Sequence, residues 1–184
     1  MEFIGFPKLA RLSRECVITE KIDGTNAYIY LPKDDNGEIN KDGILIGSKN
    51  RWITPQDDNY GFAKWCYANL DELCKLGYEH NFGEWWGKGI QRTYDLDEKR
   101  FTLFNPERWT EENVPSCCSV VPVLYKGMFD TTLIQGVCDR LASTGSVASG
   151  NWFSKPEGIV IYHTALGKSF KKTIDRDECR KGHK

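Results

Sequence analysis

Residues 19–27 (TEKIDGTNA) constrain the fold of this chain most, because they join two strand-like segments through an Asp-Gly pair. Apolar Val17 and Ile18 precede this stretch, and the alternating segment 27–31 (AYIYL) follows it. Asp-Gly between two such segments favours a tight turn, since glycine adopts positive φ angles without strain. The pattern predicts a β-hairpin in which Lys21 is either an ordinary surface lysine or a nucleophile at the end of a strand.

Strand-like and helical segments alternate along the rest of the chain. β-Branched and aromatic residues predict about eight strands, over residues 17–20, 25–31, 43–47, 79–86, 100–104, 120–125, 157–162 and 168–174. Two helices are predicted between them, from Asp57 to about Leu76 and from Asp130 to Gly145, each starting at a residue that can cap a helix. Groups of strands interrupted by helices predict an α+β fold with mainly antiparallel sheets.

Length and composition predict one globular domain over residues 1–184. The chain is 40% hydrophobic and 28% charged, which is ordinary for a protein with a buried core. No apolar run approaches the ~20 residues of a membrane span, and the N-terminus lacks the pattern of a signal peptide. The seven cysteines form no CxxC pair and the three histidines stand far apart, which argues against a zinc site. We therefore expect reduced thiols, a cytoplasmic location and no membrane contact.

Five short motifs follow one another along most of the chain. They are residues 20–26 (EKIDGTN), 48–51 (SKNR), 82–87 (FGEWWG), 101–104 (FTLF), and 157–161 (EGIVI) with 168–173 (KSFKKT) close behind. Their order and residue types resemble the covalent nucleotidyltransferase superfamily of polynucleotide ligases and mRNA capping enzymes. The first motif is most similar to ATP-dependent RNA ligases, because DNA ligases and capping enzymes usually carry arginine where Asn26 stands. KxDG alone is a weak signal, but the ordered set is a specific one.

The resemblance implies covalent chemistry at Lys21. Its amine would attack the α-phosphate of ATP and form lysyl-AMP with release of pyrophosphate. AMP would then pass to the 5′-phosphate of a polynucleotide, and a 3′-hydroxyl would displace it. A lysine amine attacks only when it is neutral, so burial, nearby positive charge or a bound Mg²⁺ or Mn²⁺ should support the reaction. The basic residues that could supply this charge are Lys49, Arg51, Lys171 and Lys172.

The resemblance also assigns roles to other side chains. Glu84 is expected to accept hydrogen bonds from the ribose hydroxyls, and Phe101 to stack on adenine. Glu20 resembles a residue that reads the adenine amino group, and Glu157 and Asp23 are candidate metal ligands. The remaining expected nucleotide-binding residues are Ile22, Asn26, Lys49, Arg51 and Lys172. For three of these residues a purely structural role is also possible: a surface strand position for Glu84 and for Glu157, and a core position for Phe101.

Alternation along the last strand separates its lysines. Phe170 and Ile174 share one face with Lys172, whereas Lys171 lies on the other face. If the apolar face packs on the core, Lys171 faces the cleft and meets the α-phosphate. Lys171 is therefore expected to act with Lys21 and Glu157 in catalysis.

The sequence departs from the family pattern in three places. Position 49 is lysine where many relatives have arginine, which leaves Arg51 to make a bidentate contact. The terminal lysines fall at positions 168, 171 and 172 rather than in a pair separated by one residue. Because only about ten residues follow the last predicted strand, we expect no OB-fold domain. Because the formal net charge is −1, contact with nucleic acid must come from a local patch.

The sequence thus predicts a minimal ATP-dependent RNA ligase that acts on RNA ends or nicks. Formation of lysyl-AMP is better supported than strand sealing. A DNA nick ligase and a GTP-using guanylyltransferase are alternatives within the superfamily. A binding module that recognises nucleic-acid ends without turnover is an alternative of another class, against which the intact Lys21, Glu84 and Glu157 argue. A partner subunit that supplies the contacts to nucleic acid is a further alternative.

Overall fold

Over residues 1–175, the fold consists of two β-sheets and three short or medium helices. The structure is a computed structural model that describes residues 1–175, apart from the side chain of Glu79. The strands are β1 (Glu15–Lys21), β2 (Thr25–Leu31), β3 (Leu45–Gly47), β4 (Trp52–Ile53), β5 (Glu79–Gly87), β6 (Lys99–Leu103), β7 (Cys118–Val120), β8 (Val123–Met128), β9 (Gly158–His163) and β10 (Lys168–Thr173). The helices are α1 (Phe62–Ala68), α2 (Leu70–Leu73) and α3 (Thr131–Thr144), with 3-10 turns at Lys41–Gly43 and Cys74–Leu76.

The strands divide into a four-stranded sheet with order β10-β9-β1-β8 and a six-stranded sheet with order β4-β3-β2-β5-β6-β7. Neighbouring strands are antiparallel, except that β6 pairs with β7 in parallel. The predicted α+β fold with mainly antiparallel sheets is confirmed. Within residues 1–175, no helix is long and apolar enough to cross a membrane.

Each sheet packs helices against one face only. Ile29, Ile46 and Phe101 of the six-stranded sheet pack with Phe62 and Leu73 of α1 and α2. In the four-stranded sheet, the buried partners of α3 include Ile18, Ile159 and Ile161. Burying an apolar side chain of this size contributes about 1.5–3 kcal/mol. Because side chains alternate along a strand, the intervening residues point to the other face of each sheet.

Both predicted helices form, but the first is shorter and interrupted. The Asp58 carboxylate accepts from the backbone N–H groups of Ala63 and Lys64, at 2.8 and 3.0 Å, so an aspartate of the predicted capping segment holds the start of α1. Asn69 then separates α1 from α2 with non-helical backbone angles. The second helix matches its prediction, because the Asp130 carboxylate caps Leu133 N–H at 2.9 Å and Gly145 ends the helix with a φ of 86°.

The predicted hairpin at Asp23-Gly24 is wrong. β1 pairs with β8 and β9, whereas β2 pairs with β3 and β5, so the connection carries the chain from one sheet to the other. Glycine is needed here for space rather than for a positive φ. A Cβ at Gly24 would lie 2.4 Å from the carbonyl oxygen of Trp85 and 2.6 Å from the Cβ of Trp86.

The predicted strand over residues 120–125 is likewise two strands in two sheets. β7 pairs with β6, and β8 pairs with β1, with Val121 and Pro122 between them. Val121 N–H donates to the Leu103 carbonyl, while the Pro122 carbonyl accepts from Glu20 N–H. Proline lacks a backbone N–H and cannot continue a ladder as donor, which suits it to this crossing point.

None of the six cysteines among residues 1–175 takes part in a disulfide bond. Cys179 lies outside the described residues. The pair Cys117 and Cys118 comes closest, with the two sulfur atoms 3.7 Å apart.

Candidate active site

A cleft of about 870 Å³ lies between the two sheets, on the faces that the helices leave uncovered. The four-stranded sheet contributes alternate residues of three strands, among them Lys21, Val160 and Lys171. The six-stranded sheet contributes Asn26 and Glu84. Strand alternation therefore gathers residues that are far apart in sequence at one surface.

Lys21 is the last residue of β1 and lies opposite Gly158 on β9. Its Nζ donates to Oε2 of Glu157 at 2.5 Å, and the side chains of the two residues are 21% and 4% exposed. Gly158 has a φ of 154°, and a Cβ there would lie 2.2 Å from the carbonyl oxygen of Lys172. Glycine thus lets β9 begin directly against β10, which places Glu157 beside the lysine.

The segment after Lys21 is fixed by contacts with a loop of residues 88–98. Asp23 N–H donates to the hydroxyl of Tyr94 at 2.7 Å, and Arg92 Nε donates to the Asp23 carboxylate at 3.0 Å. Arg92 also donates to the carbonyl of Lys155 at 2.8 Å. Tyr94 is fully buried with a φ of 55°, in a loop with several left-handed residues. Such backbone costs free energy and persists where surrounding contacts hold it.

Glu84 faces the cleft from β5 and is 8% exposed. One of its carboxylate oxygens accepts from Gly24 N–H at 3.0 Å. Burial raises the pKa of the Glu84 carboxyl to about 7, although the Gly24 hydrogen bond and the positive charge of Lys21 act in the opposite direction. The alternative in which Glu84 is an ordinary surface residue of a strand therefore does not hold.

Glu20 is among the residues that line the cleft, but its carboxylate is occupied by contacts within the protein, which argues against the predicted role as a reader of adenine. The side chain is 1% exposed and accepts three hydrogen bonds, from the hydroxyl of Ser146 and the backbone N–H groups of Val147 and Ala148, at 2.6–2.9 Å. A buried carboxylate needs such donors. Burial still raises the pKa of the Glu20 carboxyl above its ordinary value. Glu20 therefore ties the loop after α3 to the strand that carries Lys21.

The two adjacent lysines of β10 point to opposite faces. Lys171 lines the cleft, together with Ser169. Lys172 lies opposite Ile159, whose side chain belongs to the core beneath α3, and Lys172 is not among the residues that line the cleft. The prediction that Lys172 binds the nucleotide is therefore wrong by the alternation of the strand.

Phe101 is also misassigned as the adenine-stacking ring. Its side chain is fully buried against Phe62 and Trp65, on the face of β6 that α1 covers. Phe104, three positions later, lies on the opposite face, is 41% exposed and lines the cleft. Its N–H donates to the carbonyl of Phe82, another exposed ring of the cleft that the sequence reasoning missed. The apolar–Thr–apolar pattern of residues 101–103 could have revealed this alternation.

The other predicted nucleotide-binding residues divide between the cleft and its surroundings. Asn26 and the exposed Lys49 line the cleft. Ile22 lines it as well, but its side chain is 4% exposed and packs with Trp86, Tyr94 and Val121. Arg51 lies outside the lining, because its guanidinium contacts the Asp57 carboxylate at the protein surface.

Within the described part of the chain, no group of three or more His, Cys, Asp or Glu side chains could hold a metal ion by itself. Asp23 is occupied by Arg92, so it fits a metal poorly. Glu157 is 3% exposed and does not line the cleft itself, but its carboxylate contacts Lys21, which does. Magnesium usually needs only one or two carboxylates when substrate phosphates supply further oxygen ligands. Carboxylate and phosphate oxygens suit Mn²⁺ equally, so Glu157 fits a divalent cation that arrives with a nucleotide.

Comparison with known proteins identifies a family and solved structures that are similar to this chain. The family model described as RNA ligase matches residues 14–173. Solved structures of Naegleria gruberi RNA ligase mutants share the fold: one with ATP and Mn (20% identity, TM-score 0.61), one with AMP and Mn (19%, 0.60) and one apo form (20%, 0.59). These alignments cover 86–89% of this chain but 49–51% of the other chains, so the chain spans about half the length of the solved relatives. No curated protein matches the sequence.

Proposed function

The chain belongs to the RNA ligase family, and from this we propose that it is an ATP-dependent RNA ligase in which Lys21 carries AMP covalently. The observation that carries the proposal is the contact of Lys21 Nζ with Glu157, at 2.5 Å, beside a cleft that also holds Glu84 and Lys171. Strand alternation on two sheets brings these groups together from distant parts of the sequence. The whole described fold then serves as one nucleotidyltransferase domain.

Lys21 is the nucleophile in this proposal. A bond forms between its Nζ and the α-phosphorus of ATP, and the bond from that phosphorus to the bridging oxygen of pyrophosphate breaks. In the resting arrangement the amine donates to Glu157, so the nitrogen must lose a proton before it attacks. Glu157 lies within hydrogen-bond reach of that proton and is placed to accept it.

The cleft holds the nucleotide through three kinds of contact. Glu84 accepts hydrogen bonds from the ribose hydroxyls, and Lys171 and Lys49 contact the phosphates. The adenine stacks on Phe104, whose ring lines the cleft and is 41% exposed. The solved relatives that contain ATP or AMP support the use of a nucleotide.

A divalent cation accompanies the nucleotide. Glu157 would hold it together with the phosphate oxygens, and the manganese in the solved relatives supports its use. When bound, Mg²⁺ or Mn²⁺ neutralises charge on the phosphates.

RNA ends or nicks are the proposed substrates after AMP transfer. The family supports RNA over DNA, and the two subsequent steps pass AMP to a 5′-phosphate and then join that end to a 3′-hydroxyl. The solved relatives are about twice as long, so we propose the sealing steps separately from lysyl-AMP formation. A partner subunit or a further segment that holds RNA is compatible with both steps.

The test incubates the protein with Mg²⁺ or Mn²⁺ and ATP labelled on the α-phosphate. We expect an acid-stable, lysine-linked label in the wild type and in the surface control Lys75→Ala, and none in Lys21→Ala. Labelling by GTP instead of ATP would identify a guanylyltransferase, and labelling of Lys21→Ala would refute the proposal. Nicked RNA and nicked DNA then separate an RNA ligase from a DNA ligase. An adduct without sealing of either would favour the binding module.

A further inference from the structure

A row of three aromatic rings, exposed at its two ends, leads away from the cleft across the six-stranded sheet. Trp52 on β4, Tyr28 on β2 and Phe82 on β5 lie on one line of strand register, with Gly47 of β3 between the first two. We call these three rings the aromatic row. Tyr28 stacks on both of the others, with ring centroids 5.2 Å from Trp52 and 4.7 Å from Phe82. The centroids of the two outer rings are therefore at most about 10 Å apart.

Gly47 keeps the aromatic row continuous. A Cβ at this position would lie 3.0 Å from Cδ1 of Tyr28 and 3.3 Å from Cε3 of Trp52. A larger side chain would therefore separate the two rings. His80 adds a further ring beside Tyr28, with the planes 11° apart and a hydrogen bond between the tyrosine hydroxyl and the imidazole.

The two outer rings of the aromatic row are exposed although they are large and apolar, and Tyr28 between them is half-buried. Trp52 is 52% exposed on an edge strand, and Phe82 is 56% exposed. The helices α1 and α2 pack on the opposite face of this sheet. Contiguous exposed apolar side chains on one face are typical of a binding surface.

We propose that the aromatic row binds unpaired bases of the RNA strand whose end enters the cleft. This inference rests on the proposed function. The row is continuous with the cleft, because Phe82 and His80 line the cleft and Phe104 follows Phe82 across the strands. Lys49, in the turn between β3 and β4, is exposed and lines the same cleft, where it can contact a backbone phosphate. Aromatic side chains on a sheet surface are a common platform for single-stranded RNA.

The charge of the chain favours stacking as the source of RNA affinity. With a formal net charge of −1, the protein has little overall attraction for phosphates. Aromatic stacking needs no net charge and tolerates every base. The row is therefore expected to select unpaired over paired bases, without sequence preference and with a shallow dependence on salt.

The test measures binding of a short fluorescein-labelled single-stranded RNA to the full chain by anisotropy, at two salt concentrations. Trp52→Ala should weaken binding about tenfold at both concentrations, because it removes one stacking ring. Trp52→Phe keeps a ring and should recover most of the affinity. The matched control is Tyr67→Ala, which removes a ring that is 48% exposed on α1, outside the aromatic row. Blunt duplex RNA should bind all four proteins alike.

Wild-type affinity in Trp52→Ala would overturn the inference, as would an equal loss in Tyr67→Ala. If Trp52→Ala instead abolishes self-association and leaves RNA binding intact, the surface serves a second copy of the chain and the inference also fails. Adduct formation with labelled ATP is measured on the wild type in parallel. Absence of the adduct refutes the proposed function, whereas unchanged RNA binding refutes only the inference, so the two failures are distinguishable.

Discussion

The two faces that form the cleft differ in chemistry although the same strand alternation builds both. The face of the four-stranded sheet presents charged groups near the proposed reaction centre, with Lys21 and Lys171 on strands that share β9 as neighbour. The face of the six-stranded sheet presents aromatic rings, such as Phe82 and Phe104, around a single buried carboxylate, Glu84.

From this difference we propose that the four-stranded sheet carries the chemistry and the six-stranded sheet recognises the nucleotide. Flat rings suit a base, and a carboxylate suits ribose hydroxyls, whereas lysines and Glu157 suit phosphate and a metal ion. The connection through Asp23 and Gly24 joins the two sheets directly after Lys21. A crossing between sheets at this point places Lys21, the proposed nucleophile, where both faces meet.

Phe101 and Phe104 offer the sharpest test of the recognition face, because alternation places them on opposite sides of one sheet. Phe101→Ala should lower the free energy of unfolding by about 3–5 kcal/mol, as expected for a ring removed from a closed core. Phe104→Ala should leave stability nearly intact and weaken ATP binding about tenfold. Urea denaturation and calorimetric titration with ATP measure the two effects. Equal stability of the two variants would contradict the assignment of the faces.

Lys171 and Lys172 give the equivalent test on the reactive face. Lys171→Ala should slow formation of the adenylyl adduct by about 10²–10³-fold, the usual cost of removing one group that stabilises developing charge. Lys172→Ala, on the other face of the same strand, should change the rate less than about threefold, since its side chain does not line the cleft. Rates come from single-turnover labelling with α-labelled ATP. A larger loss in Lys172→Ala would show that β10 presents its opposite face.

Glu84, on the recognition face, should make the stability of the protein depend on pH. Its pKa is about 7 in the fold against an ordinary value of 4.5, so the folded protein keeps a proton that the unfolded chain has lost between these values. The stability that this group contributes is complete below pH 4.5 and is lost as pH rises through 7. Glu84→Gln should therefore gain stability relative to the wild type across this window, by up to about 3 kcal/mol above pH 7.

Urea denaturation between pH 5 and about 8 measures this difference. The control Glu38→Gln changes an exposed glutamate in a surface loop and should follow the wild type at each pH. A constant difference between Glu84→Gln and the wild type over the whole range would contradict the effect of burial on this carboxyl.

The sequence predicted the fold class and most elements, because apolar alternation and capping residues are local signals. The helix cap at Asp130 and the direction of the Lys171 side chain, towards the cleft, could be predicted in this way. Partners in a sheet could not, since pairing depends on contacts far along the chain. That is why a local turn signal at Gly24 suggested a hairpin, while Trp85 and Trp86 in fact press against that glycine.

The same distinction between local signals and long-range contacts applies to the residues of the candidate site. Lys21, Glu84 and Glu157 were found through ordered motifs, and their proximity is visible only in the structure. Phe101 was chosen by motif position, although its strand parity places it in the core. The role of Glu20 was missed because the donors of its three hydrogen bonds lie about 126 residues away in sequence.

The identity of the nucleophile is tested most directly by locating the adenylyl group on the protein. The wild type is incubated with ATP and Mg²⁺ or Mn²⁺, digested, and the modified peptide is sequenced by tandem mass spectrometry. We predict that AMP is attached to Nζ of Lys21, where the two faces of the cleft meet. Attachment to Lys171 or another residue, or no attachment at all, would contradict the assignment of Lys21 as the nucleophile.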